Sequence, residues 1–126
     1  MFRIDPLSRQ PVYEQLIEQL EKLVLTGLLP ADSQLPSVRS LSLELSINPN
    51  TIQKAYSDLD TRGIIYSVPG IGCFVAKNAA EVLQAHMRRK LDSLRQLADD
   101  LALAGIPEEE LIDCIHTIYK ERGVTL

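Results

Sequence analysis

Apolar positions follow two rhythms along the chain, and the change from one to the other sketches the architecture. From Pro11 to Thr26, Val12, Leu16, Ile17, Leu20, Leu23 and Val24 recur every three or four residues, which gathers them on one face of a helix. Pro11 suits the first turn, where its missing N–H is no loss, and Gly27 suits the end. Leu28 to Pro36 holds Pro30, Pro36 and a polar run, and reads as a loop. Ser37 then caps a short second helix whose Val38, Leu41 and Leu45 share a face. After a hinge at Ser46 and Ile47, Asn48-Pro49 gives a cap residue followed by a proline at the first helical position. Ile52, Ala55, Tyr56 and Leu59 continue this third helix, and Gly63 closes it. Two helices joined by so short a hinge must cross steeply, as in a helix-turn-helix.

The rhythm then shortens. Ile64 to Val68 and Cys73 to Val75 are β-prone runs around Pro69-Gly70-Ile71-Gly72, which predicts a hairpin, placed where a wing would follow a recognition helix. Helical spacing returns over residues 79 to 104 with Leu83, Met87, Leu91, Leu94, Ala98 and Leu101, a stripe close to the 3.5-residue repeat of helices that pair along their length. Gly105 ends this long helix. Pro107 and three glutamates open a last one, whose apolar face holds Leu111, Ile112, Ile115, Ile118 and Tyr119 and which Gly123 ends. The expected fold is mainly α with a small β-hairpin: a winged helix-turn-helix over residues 1–78 and a two-helix dimerisation segment over 79–126. Two helices cannot enclose a core alone, so their apolar face must be covered by the first domain, by a second copy or by both; Leu83, Met87, Leu91, Leu94 and Leu101 are the expected dimerisation residues.

Composition narrows what such a fold can do. A chain of 126 residues with 45% hydrophobic content can bury a core but has no room for two catalytic domains. No apolar run reaches the roughly 20 residues of a membrane span, and Arg3 and Asp5 stand where a signal peptide would be apolar, so a soluble cytoplasmic protein is expected, without a membrane partner. Cys73 and Cys114 make no disulfide framework, and His86 and His116 join no cluster at ligand spacing, so no metal is expected. With no glycine-rich phosphate loop and no histidine paired with a nucleophile, neither an enzyme nor a cofactor is expected. The net charge of -4 opposes phosphate at long range. Its distribution is uneven: residues 1–78 carry 7 Lys/Arg against 8 Asp/Glu, and residues 79–126 carry 6 against 9. Any nucleic-acid face must therefore be a local patch, doubled by dimerisation, and the charge keeps a winged helix that binds protein instead of DNA as the alternative.

Several stretches resemble the GntR family of bacterial regulators: Gly27-Leu28-Leu29-Pro30, Leu35-Pro36-Ser37-Val38-Arg39-Ser40-Leu41, Asn50 to Leu59, Gly63-Ile64-Ile65 and Gly70 to Val75. Ile4-Asp5, Pro11-Val12-Tyr13-Glu14-Gln15 and the short second segment are similar to its YtrA-like branch. Asp32 replaces a usual glycine, Cys73 a usual Ser or Thr, and Ile71 leaves the wing tip without a basic residue. The resemblance implies a homodimeric repressor on a pseudo-palindromic DNA operator, controlling a neighbouring transporter operon, with an unknown small-molecule effector as a further partner. Asn48, Asn50, Thr51 and Gln53 are the polar side chains that could reach base edges, and Lys54 the cation for phosphate. Tyr56 on the same helix joins them as a candidate DNA contact. Arg39 matches an arginine that contacts DNA in the family, its plainer role being a salt bridge to Glu44, and Gly70 would let the wing backbone approach the minor groove.

Overall fold

A computed structural model describes residues 2–123. It divides into two compact units, with the division between His86 and Met87. The first unit contains α1 (Val12–Leu25), α2 (Val38–Leu45), α3 (Pro49–Thr61), β1 (Ile65–Val68) and β2 (Gly72–Val75), and most of α4 (Ala79–Arg88); α5 (Lys90–Leu103) and α6 (Glu108–Glu121) follow in the second.

Leu16 and Leu20 of α1, Leu41 of α2, and Ile52, Ala55 and Leu59 of α3 are buried together, each from the apolar face that its helical spacing defines. The chain turns between α2 and α3 at Ser46, whose φ of 55° and ψ of 45° are left-handed. Its neighbour Ile47 donates its N–H back to the Ser42 carbonyl at 3.1 Å, and the Ser42 hydroxyl donates to the Ile47 carbonyl at 2.6 Å. This is the closing bond of a Schellman end, formed here on a serine instead of the usual glycine. Asn48 then caps α3 by accepting the Asn50 N–H at 2.9 Å.

The hairpin is antiparallel, pairing Ile65 with Val75, Tyr66 with Phe74, Ser67 with Cys73 and Val68 with Gly72. Its turn, closed by Ile71 N–H to Val68 C=O at 3.0 Å, has Pro69 at its second position and Gly70 at its third with φ 77°, a type II turn. The stretch expected to be a loop before α2 is tied to this sheet. Asp32 and Leu35 donate to the Val75 and Cys73 carbonyls, both at 2.8 Å, and Val75 donates to Ser33 at 2.9 Å. Residues 32–35 thus run alongside β2 as a loop tied to it by a single antiparallel bridge, Gln34 to Phe74, outside the two-stranded sheet.

Two expectations for the C-terminal half change. The helix over residues 79–104 is two helices, interrupted at Arg89, where φ −64°, ψ −22° and an Asp92 N–H to Arg89 C=O bond of 3.2 Å make a tighter 3₁₀-like turn. The first unit also runs past Asn78, because Ala79 and Leu83 are fully buried in its core. Leu83 therefore fills its own unit's interior and is no dimer contact: the apolar stripe serves the core at its start and solvent-facing surface afterwards.

A candidate nucleic-acid interface on the third helix

The polar edge of α3 comes to the surface because its four apolar positions consume the opposite face. Ile52, Ala55, Tyr56 and Leu59 are buried, whereas Asn48, Asn50, Gln53 and Lys54 are exposed and Thr51 is half-buried. The N-terminal end of the helix thus presents short polar side chains together with free N–H groups and the positive end of the helix dipole. Arg39, at the second position of α2, is exposed as well; among the described residues it forms no ion pair, and the alternative bridge to Glu44 is not made.

Within this set the side chains differ in how far they are committed. The Asn48 carboxamide oxygen is occupied by the cap. Gln53 donates its amide to the Ser57 hydroxyl at 3.1 Å, an exposed bond one helical turn away that a base edge can replace. Lys54 extends across to α1 and holds its Nζ 3.8 Å from the centre of the Tyr13 ring.

Tyr56 departs from its expected role. It is buried, and its hydroxyl donates to the Pro36 carbonyl at 2.7 Å, so it locks α3 to the residue before the α2 cap and reaches no ligand. Burial pushes its phenol well above the usual tyrosine range, and the nearby Cys73 thiol adds to the rise. The apolar spacing with Ile52 and Leu59 already places Tyr56 on the inner face; the family-like motif had drawn it to the outer one.

The wing is held from below by residues that sequence reasoning missed. Gln34 donates its amide to the Ile71 carbonyl at 3.1 Å and lies so close to the hairpin that a Cβ on Gly72 would stand 2.7 Å from its Nε2. Asp32 occupies a left-handed conformation, φ 64°, as its substitution for glycine requires, and accepts the Tyr66 hydroxyl at 2.9 Å. That bond to a carboxylate raises the Tyr66 phenol pKa. Tyr66 in turn stacks on Phe74, ring centres 5.5 Å apart. The only hint in the sequence was Asp32 itself, a turn-forming residue in a stretch read as loop. Gly70 stands at the exposed tip with nothing within 4 Å of an added Cβ, which leaves its backbone open to approach.

Arg62 at the end of α3 bridges the buried Glu21 of α1 at 3.2 Å and Asp58 at 3.1 Å, so the far end of the helix is neutralised while the leading end is not. In the second unit, Met87 is half-buried, and Leu91, Leu94 and Leu101 are 48%, 44% and 42% exposed. There Leu94, Leu97, Leu101, Leu111 and Ile115 line an apolar groove of about 390 Å³ between α5 and α6. Among the described residues no helix is long and apolar enough to cross a membrane, and no cluster of His, Cys, Asp or Glu could hold a metal ion.

A helix with a polar leading edge behind a tight turn, followed by a braced hairpin, defines a winged helix-turn-helix. The chain belongs to the gntR family of bacterial regulatory proteins, whose model matches residues 12–75. It is 40% identical to the HTH-type transcriptional repressor YtrA of Bacillus subtilis over 119 residues, 94% of this chain and 92% of that protein. It is 34% identical to the uncharacterized HTH-type transcriptional regulator YhcF of the same organism, across 92% of this chain and 95% of that one. Among solved structures, a transcriptional regulator from Oenococcus oeni superimposes with a TM-score of 0.74 at 36% identity, covering 91% of this chain and 96% of that one. The DNA-binding domain of AraR, solved in complex with operator ORX1, gives 0.53 at 34% identity over 60% of this chain and 93% of that one.

Proposed function

We propose that this regulator is a homodimeric repressor that places the leading edge of α3 in successive major grooves of a pseudo-palindromic operator, with the two half-sites about 34 Å apart. The observation that carries this reading is the outward edge itself: Asn50, Gln53 and Lys54 lie exposed on α3 and Arg39 is exposed on α2, and among the described residues neither cation has an acidic partner within ion-pair distance. Asn and Gln match the donor and acceptor pattern of adenine, and arginine that of guanine or of phosphate. Thr51 flanks the same edge, Asn48 contributes chiefly as its cap, and Gly70 offers wing backbone to the minor groove. YtrA of Bacillus subtilis, a relative matched over 92% of its length, is a repressor by name, which supports repression here. Kinship with that branch points to a neighbouring transporter operon as the target.

Pairing is assigned to the second unit. Met87, Leu91, Leu94 and Leu101, with the face of α6, present more apolar surface than two helices can hide from water by themselves. A small apolar effector, the remaining expected partner, would compete for the same groove between α5 and α6.

The test is binding of dimeric protein to a duplex carrying the promoter of its own operon, followed through a salt titration. Specific retardation that weakens steeply with salt is expected. Lys54→Ala should weaken all sequences alike and lower the salt slope by about 1, whereas Gln53→Ala should relax preference at particular base pairs. Absence of binding at low salt would instead favour the winged helix as a protein-docking module, which the net charge of -4 suits.

A further inference from the structure

Lys54 is the one cation on the leading edge of α3, and the structure does not leave it to wander. Its Nζ stands 3.8 Å from the centre of the Tyr13 ring, at the start of α1. We infer that Tyr13 is a positioning residue for DNA binding, its ring holding the Lys54 ammonium at a fixed place beside the phosphate track; this rests on the DNA reading proposed above.

Three features support the assignment. Tyr13 is half-buried and packs against the core of the first unit, so the ring is a fixed platform, whereas an unsupported lysine has four rotatable bonds whose freedom binding must remove. Its hydroxyl donates to Glu14 Oε1 at 3.3 Å, which places the acceptor's negative charge beside the hydroxyl and enriches the ring face on which the ammonium rests. The third is the kind of contact. A carboxylate would hold the ammonium equally well but cancel its charge, as Glu21 and Asp58 do for Arg62. A π face orients the cation and leaves its charge available. In a chain of net charge -4 that distinction decides whether the edge of α3 attracts a phosphate at all.

The test is a double-mutant cycle on the full chain, read as DNA affinity and its salt dependence, with Tyr13→Phe and Tyr13→Leu each made beside Lys54 and beside Lys54→Met. Tyr13→Leu should weaken binding about two- to fivefold, the range for a cation–π contact at an exposed site. Tyr13→Phe, which keeps the ring and loses only the hydroxyl's enrichment of it, should weaken binding less than Tyr13→Leu, and in the Lys54→Met background Tyr13→Leu should change nothing. Equal losses in both backgrounds overturn the inference, and so does a Tyr13→Phe variant as weak as Tyr13→Leu, since the hydroxyl and not the ring would then be acting. A second readout needs no DNA: the Lys54 ε-methylene protons should show an upfield ring-current shift by NMR in the wild type and Tyr13→Phe. Their absence in the wild type overturns the inference even if Tyr13→Leu does not fold. If the wild type binds no DNA, the proposed function fails, while this shift still decides whether Tyr13 holds Lys54.

Discussion

At the scale of single residues, the molecule separates side chains that face outward from those that fix where the outward ones stand. Tyr56 is the clearest of the second kind, because its buried hydroxyl satisfies a carbonyl, that of Pro36, which is partly withdrawn from water. Tyr56→Phe leaves that oxygen without its partner and should cost about 1–3 kcal/mol in chemical denaturation, with little change in DNA affinity at temperatures where the variant is folded. The pH dependence has a defined sign. Folding raises this phenol's pKa, so its contribution is fully present below the unfolded value near 10 and is lost as the pH rises through the folded one. Wild-type stability should therefore fall above about pH 10 more steeply than that of Tyr56→Phe, as equilibrium unfolding at alkaline pH will show. Spacing with Ile52 and Leu59 made the inner position of Tyr56 readable beforehand. The Lys54–Tyr13 contact was not readable, because 41 positions separate the partners in the chain and only the packing of α1 on α3 brings them together.

At the scale of elements, caps and turns announced themselves while side-chain braces did not. Ser37, Asn48-Pro49 and Pro69-Gly70 act locally, through their own backbone, so their effect can be read from a few consecutive residues. Residues 32–35 showed no sign of their bridge to β2, because a loop that borrows its hydrogen bonds from a neighbouring strand needs no alternating pattern of its own. Nor did the stripe from Leu83 to Leu101 reveal the interruption at Arg89, since no proline or glycine marks it. Gly72 gives this scale its prediction. With φ 145° and Gln34 only 2.7 Å from the place of a Cβ, Gly72→Ala must displace the Gln34 amide and strain the backbone. The hairpin should loosen, seen as faster amide exchange at Ile71, whose N–H closes the turn, while the core helices keep their protection. Gly70→Ala, strained in φ alone at 77° with open space around it, should leave the Gln34 bond intact.

At the scale of the whole chain, the two units differ in kind. The first closes a core around Leu16, Leu41, Ile52 and Leu83. In the second, no residue of α5 or α6 is buried, and Leu94, Ile112, Ile115 and Ile118 stay between 42% and 53% exposed. A helix pair so uncovered is expected to be stable only against further apolar surface, which is the argument for a second copy. Leu94→Asp should shift sedimentation to the monomer and, by halving the contacts, weaken operator binding far more than it weakens the first unit's fold. Dimers of unchanged mass would count against this interface. The sequence disclosed that the C-terminal stripe was unpaired but not where it divides, because period alone does not say which partner each apolar residue meets.

One small arrangement near the start has a consequence for how the sequence can vary. Gln15 accepts the Asp5 N–H at 2.9 Å and donates to the Asp5 and Gln10 carbonyls at 3.0 and 2.9 Å, and Gln19 grips the backbone of Arg3 in the same two-handed way. Both amides read main chain, not side chains. The identity at position 3 is thereby free to drift, while Asp5 is also held by its own carboxylate, which accepts the Leu7 N–H at 3.0 Å; inserting or deleting one residue between Phe2 and Gln10 would slide these grips out of register and pull Phe2 from its seat in the interior.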